Sequence, residues 1–224
     1  MASQKHGISA LGLQRELGLG SYRTSWIWLH KLRRALVRPS RDRISRTVEV
    51  DETYVGGEKP SKRGRGATGK TLVLIAVEVK GGRIGRIRLR RVSDASAESL
   101  TPAVEENVEP GSEVRTDGWS GYQDLPSTGY KRLIVREDAD AGENLLPHAH
   151  RIASLLKRWL LGTHQGAVQP SHLDYYLDEF TFRFNRRTSR SRGLLFYRLM
   201  QQAMATKPLK GRDLKSPGLV PNNP

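Results

Sequence analysis

With 224 residues, 37% of them hydrophobic, the chain can bury one good core and keep enough length for a small accessory module. Its 38 Lys and Arg against 23 Asp and Glu give a formal charge of +15, an imbalance that favours a polyanionic partner. The absence of Cys excludes a disulfide framework and a thiolate zinc site, so any metal must sit on carboxylates or His. There is no apolar run of about 18 residues and no signal-peptide core after Met1. The expectation is therefore a nucleic-acid partner, no membrane, and a cytoplasmic, nucleoid-associated location.

Residues 9 to 37 read as two helices. Ser9 can cap a segment carrying Leu11, Leu13 and Leu17, the run Leu17-Gly18-Leu19-Gly20 is a break, and Ser21 starts a longer helix. On that second helix Tyr22, Trp26, Leu29 and Leu36 share one face, while Arg23, Lys31 and Arg34 share another. This is the shape of a helix-turn-helix, whose second helix would meet DNA through Arg23, Lys31 and Arg34. A helical hairpin with a solvated basic face has the same pattern. The module is placed at residues 1–38 and a basic linker at 39–46.

Three strands follow at 47–55, 71–79 and 84–92, with Lys80-Gly81-Gly82-Arg83 as a hairpin turn. A helix over 95–108 leads to a short strand at 113–117, then a short helix or loop, and another strand at 131–136. From Pro147 onward the pattern is helical. A three-strand meander, helix, strand, strand and terminal helices is the order of a ribonuclease H-like α/β domain. The expectation is thus a mixed five-stranded sheet flanked by helices, over residues 47–205. The Pro-, Gly- and Lys-rich stretch 206–224 is expected to be a disordered tail.

Strand alternation puts Val48 and Val50 on one face and Glu49, Asp51 and Thr53 on the other. Asp117 ends the fourth strand and meets Gly118. Singly, each acid reads as an ordinary turn or cap residue. On the first and fourth strands of this order they would lie side by side, and two carboxylates that close repel unless a cation separates them. Hard oxygen-loving ions, Mg²⁺ or Mn²⁺, suit such a pair. Two of them can activate a water or 3′-hydroxyl and stabilise the leaving oxygen of a phosphodiester displacement.

The run Gly64-Arg65-Gly66-Ala67-Thr68-Gly69-Lys70-Thr71 matches the phosphate-binding loop of nucleoside triphosphatases. That loop needs a helix after it, and here Leu72-Val73-Leu74-Ile75-Ala76-Val77 is strand material. It reads instead as a basic hairpin loop able to touch a DNA backbone. On the helix opened by Pro147, His150, Ser154 and Lys157 share a face, which alone is an ordinary polar stripe. Farther on, Leu173, Tyr176, Leu177, Phe180 and Phe184 make a core face beside Glu179, Arg183 and Arg186. An exposed Glu179–Arg183 pair would add only a few tenths of a kcal/mol, so stability gives it little reason.

Four words together resemble the ISXO-like DDE transposases of bacterial insertion sequences, over about residues 7 to 203. They are Val48-Glu49-Val50-Asp51-Glu52-Thr53-Tyr54-Val55-Gly56-Gly57, then Thr116-Asp117-Gly118-Trp119-Ser120-Gly121-Tyr122, then Leu156-Lys157-Arg158-Trp159-Leu160-Leu161-Gly162-Thr163-His164, and last Tyr176-Leu177-Asp178-Glu179-Phe180-Thr181-Phe182-Arg183-Phe184-Asn185-Arg186-Arg187. The resemblance implies a ribonuclease H-like catalytic domain that cuts DNA at transposon ends and joins the freed 3′-hydroxyl to target DNA with two divalent ions. It maps Asp51 and Asp117 onto the first two catalytic acids. The third falls on His150, seven residues before Lys157, which the resemblance sets on a phosphate of the scissile strand. Glu179, Arg183 and Arg186 fall on the family's Glu, Arg, Arg positions, read as DNA-binding. It also implies a dimer or larger homo-oligomer on DNA, because two ends must be held together.

Two departures stand out. Many relatives carry Glu where this chain has His150, a ligand without charge that suits Mg²⁺ less well than a carboxylate and favours Mn²⁺. Glu143 is the nearest upstream acid able to substitute. Relatives also often begin with a cysteine zinc ribbon, which a chain without Cys lacks. The rival readings are a nuclease or resolvase of the same fold that cuts without joining, and a decayed copy that binds DNA without cutting.

Overall fold

Strand β1, Thr47–Val55, runs through the middle of a five-stranded sheet. On one side it pairs antiparallel with β2, Thr71–Lys80, which pairs antiparallel with β3, Arg83–Val92. On the other it pairs parallel with β4, Glu113–Thr116, which pairs parallel with β5, Lys131–Ile134. The order β3-β2-β1-β4-β5 is the mixed, ribonuclease H-like sheet expected from the order of elements. The computed structural model describes residues 6–37, 41–56, 70–135, 145–166, 168–211 and 214. The phosphate-loop run up to Gly69, Glu143, the start of the basic linker and most of the tail after Gly211 lie outside the described residues.

The chain divides into two units, Asp42–Arg158 and the pair of segments Met1–Arg41 and Trp159–Pro224. The first unit is the sheet with α3, Ala97–Asn107, and the first three turns of α4, Pro147–His164. Val48 and Val50 of β1 join Leu72, Leu74, Ala76, Leu100, Val104 and Tyr122 in one apolar cluster under α3. Glu49, Asp51 and Thr53 point to the opposite face, as period-2 alternation requires. That face is covered too, because Val73, Ile75 and Val77 of β2 share it and are fully buried. The Gly81-Gly82 turn has φ of +56° and +69°, the paired positive values that a two-residue hairpin turn needs and that glycine adopts without strain.

Three of the five arginines of β3 are committed within this unit. Arg86 reaches Glu78 and the Arg43 carbonyl, Arg88 donates to the carbonyls of Ile87 and Asp42, and Arg90 pairs with Glu106. They fasten residues 42–43 to the sheet edge. Within the stretch read as a linker, Ile44 is fully buried and bridges Val108.

The second unit is helical: α1, Ala10–Glu16, α2, Tyr22–Arg34, the end of α4, then α5, Leu173–Asn185, and α6, Arg192–Ala205. The Ser9 hydroxyl accepts the Gly12 amide at 3.0 Å, the cap that starts α1. Every α5 residue is at least half-buried, as expected of a helix at the centre of its unit rather than on its surface. Ala35, Leu36, Phe182 and Leu199 form an apolar cluster there. In the stretch read as a tail, Leu214 is buried and its carbonyl accepts from His172 Nε2 at 2.8 Å.

His30 lies fully buried among the rings of Trp26, His172, Tyr175 and Tyr176. Burial, then the Arg33 charge, holds its pKa down to about 2, and burial holds His164 down to about 3. Both therefore fold as neutral rings, and below their unfolded pKa of 6.5 the unfolded chain binds the extra protons. Stability is present above that value and drains away as pH falls, at a cost for His30 of about 2 kcal/mol by pH 5. Replacing His30 by Phe, a ring of similar size with no proton to take up, should lower the midpoint of acid unfolding, read by circular dichroism. An unchanged midpoint would show that His30 is not the acid-sensitive group.

Candidate active site

Parallel pairing of β1 with β4 matches Thr47 with Glu113, Val48 with Val114 and Glu49 with Arg115. Extending the same register by two residues brings Asp51, in the middle of β1, level with Asp117, just past the end of β4, where the parallel pairing of the two strands stops. Ends of parallel strands are where open α/β sheets place their sites. Asp51 Oδ2 lies 3.2 Å from His150 Nε2, so α4 delivers the third predicted residue directly onto the first. Lys157 is two turns farther along the same face of α4.

Electrostatics tie the group together. The Asp51 pKa is pushed up to about 6, first by burial and then by the neighbouring Glu52 and Asp117 carboxylates, against the Glu52 amide and His150. Burial and the nearby Lys70 lower the Lys157 pKa, and Asp51 opposes them. Four of the expected residues, Asp51, Asp117, His150 and Lys157, thus surround one spot. Among the described residues no set of three or more His, Asp or Glu is grouped closely enough to hold a metal ion, so the expected triad is a close Asp51–His150 pair with Asp117 beside it.

The second acid is built into a stiff turn. Asp117 Oδ1 accepts the Trp119 amide at 3.0 Å, and the Trp119 indole donates to the Ala95 carbonyl at 2.7 Å. Arg132 on β5 donates to the Thr116 hydroxyl and to the carbonyls of Asp117 and Trp119. Gly121 is required because a Cβ there would run into the Ala95 carbonyl. Buried Tyr122 donates to Glu52 Oε2 at 2.7 Å, and burial followed by that carboxylate raises its own pKa well above the usual tyrosine value.

Several of these groups were not singled out by sequence. Glu52 and Tyr122 lay inside the quoted words as unassigned letters, and Lys70 was set aside with the phosphate-loop match. The structure answers that match directly, since Thr71 opens strand β2 rather than a helix. Arg132 carried no signal at all, because its role depends on β5 lying beside β4.

The remaining predicted residues lie in the helical unit. Arg23 and Lys31 are exposed on α2, and Arg34 is half-buried beside Tyr175. Glu179 has no exposed surface: Oε2 meets Arg33 Nε at 2.7 Å, and Oε1 lies 3.8 Å from Arg183 NH1. The exposed Glu179–Arg183 pair weighed from sequence is in fact a buried node whose chief partner is Arg33. Arg33 and Arg186 lie over the rings of Tyr176 and Phe182 at 4.2 and 3.9 Å, and burial lowers the Arg183 pKa.

The comparisons with known proteins bear on this arrangement. The profile of the ISXO2-like transposase domain matches residues 43–185, from the first residues of the sheet unit to the end of α5. The chain belongs to this family. No curated protein matches it. Among solved structures it is similar to a chain of the cryo-electron-microscopy structure of the simian T-cell lymphotropic virus intasome in complex with PP2A regulatory subunit B56 gamma, at 13% identity and a TM-score of 0.35. That match covers 77% of this chain and 64% of the other, so this chain spans less than two thirds of that one's length.

Within this transposase-family chain two outcomes follow from the buried acids. In metal-free protein the raised Asp51 pKa means that ionising Asp51 costs stability as pH rises from 3.8 through about 6. Asp51→Asn should therefore be the more stable protein at pH 7, by up to about 3 kcal/mol, with the gain vanishing below pH ~4. Urea unfolding at the two pH values checks it, and a pH-independent difference would refute it. Glu179→Ala leaves Arg33 buried without its carboxylate and should cost about 3–5 kcal/mol. A drop in melting temperature of only a degree or two would show that the node is not structural.

Proposed function

We propose that this chain is a transposase that cuts DNA at the ends of its element and joins the freed 3′-hydroxyl to target DNA. The observation that carries the reading is the convergence of Asp51, Asp117, His150 and Lys157 beside the end of β4, in a chain of the ISXO2-like transposase family.

The chemistry of the Asp51–His150 pair with Asp117 beside it, rather than a closed triad of ligands, supports a divalent cation. A mostly buried carboxylate whose pKa is raised by two other carboxylates is relieved by positive charge more than by any rearrangement of the sheet. Asp51 and Asp117 would hold Mg²⁺ or Mn²⁺, with His150 as the neutral neighbour that inclines the site toward Mn²⁺. Bound there, one or two such ions supply charge to the attacking and leaving oxygens of a phosphodiester. The protein's own part is positional. Lys157 and Lys70 offer cations to the phosphates of the reacting strand, His150 fixes the orientation of the Asp51 carboxylate, and the Asp117 turn resists displacement.

DNA is the partner, engaged by Arg23, Lys31 and Arg34 of a helix-turn-helix-like module at residues 1–38 and by Arg183 and Arg186, on a homodimer or larger assembly. Glu179 serves that surface from beneath by holding Arg33 and Arg183. A supercoiled plasmid carrying the DNA that flanks the gene tests the reading. Wild-type chain with Mn²⁺ should nick and then join it, while Asp117→Asn should lose at least ~10³-fold in cleavage and keep its DNA affinity. Cleavage without joined products would point to a nuclease of this fold. Binding with no cleavage in Mg²⁺ or Mn²⁺ would point to a copy that only binds.

A further inference from the structure

Helix α4 starts without a cap of its own. Its first turn holds no acidic residue, and Leu146, the residue before Pro147, has no side-chain acceptor to offer. The orphan amides of a helix start must find acceptors. They find Glu49, on β1 and about a hundred residues earlier in the chain. Glu49 Oε2 accepts the His148 amide at 2.9 Å and the Ala149 amide at 3.0 Å, and Oε1 lies 2.6 Å from His148 Nδ1. His148 Nε2 in turn lies 3.2 Å from the Gly82 carbonyl in the β2–β3 turn. The Glu49 side chain is 4% exposed, too buried to be an incidental surface contact.

We propose that Glu49 and His148 form a clamp that fixes where α4 begins against β1, making Glu49 a positioning residue for the site. The inference rests on the transposase reading for its consequence in catalysis, not for its geometry. Glu49 lies two residues before Asp51 on the same strand face, and His148 two residues before His150 on the helix. The clamp and the Asp51–His150 contact are thus successive rungs between one strand and one helix. A slip of α4 by one residue would shift it by about 1.5 Å and turn it by about 100°. His150 and Lys157 would then face away from Asp51. A side chain on the central strand therefore sets the register of two residues that the helix alone cannot aim.

The test uses the full-length chain with Glu49→Ala, Glu49→Gln and His148→Gln. Amide hydrogen exchange needs no activity. Glu49→Ala should raise exchange at His148 and Ala149 at least tenfold while β1 and β2 stay protected, whereas Glu49→Gln keeps a carbonyl oxygen for both amides and should hold them. The His150 imidazole resonance, shifted by Asp51→Asn in wild type, should lose that response in the Glu49→Ala background. On the plasmid above, Glu49→Ala should lose ~100-fold in kcat for Mn²⁺-dependent cleavage with KM for DNA unchanged, a size typical of a 1 Å misplacement. Glu49→Gln should recover most of it, and His148→Gln should fall between. Unchanged exchange at the two amides, or a His150 response to Asp51→Asn that survives in Glu49→Ala, overturns the clamp. Equal loss in Glu49→Ala and Glu49→Gln, following the loss of melting temperature, shows a merely structural residue and overturns it as well. If wild type does not cleave, the transposase reading fails while the exchange and resonance measurements still decide the clamp.

Discussion

A carboxylate buried on a central strand has to be met by donors, and the sheet unit is organised around that constraint. β1 sends Val48 and Val50 into the apolar cluster under α3 and, by simple alternation, must send Glu49 and Asp51 to the other face. That face is closed over as well, so its acids cannot rely on water. Glu49 is satisfied by the amides that begin α4 and by His148. Asp51 is left with His150, the Glu52 amide and the repulsion of two other carboxylates. One strand thus carries a structural acid and a strained one, two residues apart, and the first holds the helix that partners the second.

The helical unit obeys the same rule with a different solution. Glu179 is fully buried on α5, and its charge is matched by Arg33 of α2 with Arg183 one turn away. Aromatic faces of Tyr176 and Trp159 lie under the two guanidinium groups. Taking such charges out of water is costly, and only good geometry and further contacts offset it. Glu179 and Arg183 on this helix are therefore held inside the unit, while Arg23 and Lys31 of α2 stand at its surface.

Two basic features that look alike in sequence separate in the structure. Arg86, Arg88 and Arg90 of β3 are spent on backbone carbonyls and on Glu78 and Glu106, and they fix the edge of the sheet. Burial, and then the neighbouring Lys70, lower the Lys157 pKa, an arrangement that a bound polyanion would relieve. Net charge announces a polyanionic partner, but only the local partners of each cation say which ones are available to meet it.

How much was legible follows the range of the interaction. The strands 47–55 and 84–92, the hairpin turn at Gly81-Gly82 and the Ser9 cap rest on alternation, turn chemistry and local hydrogen bonds, all written within a few residues, and the structure reproduces them, with the third strand starting one residue earlier at Arg83. Strand order was inferable because the element sequence of a mixed sheet admits few connections. Asp51 and Asp117 could be paired on that basis, and the quoted words placed His150 and Lys157 with them. The roles of Glu49, His148, Glu52, Tyr122 and Arg132 were not legible, because each is defined by partners at least 13 residues away in the chain. The burial of Glu179 was not legible either, because helical periodicity cannot tell that a polar face is also covered. By itself, then, the sequence determined the elements, the sheet and the acids on its first and fourth strands, since these follow from short-range patterns. The tertiary structure alone decided which acids are structural and which are strained, since burial and donor supply belong to the packed molecule.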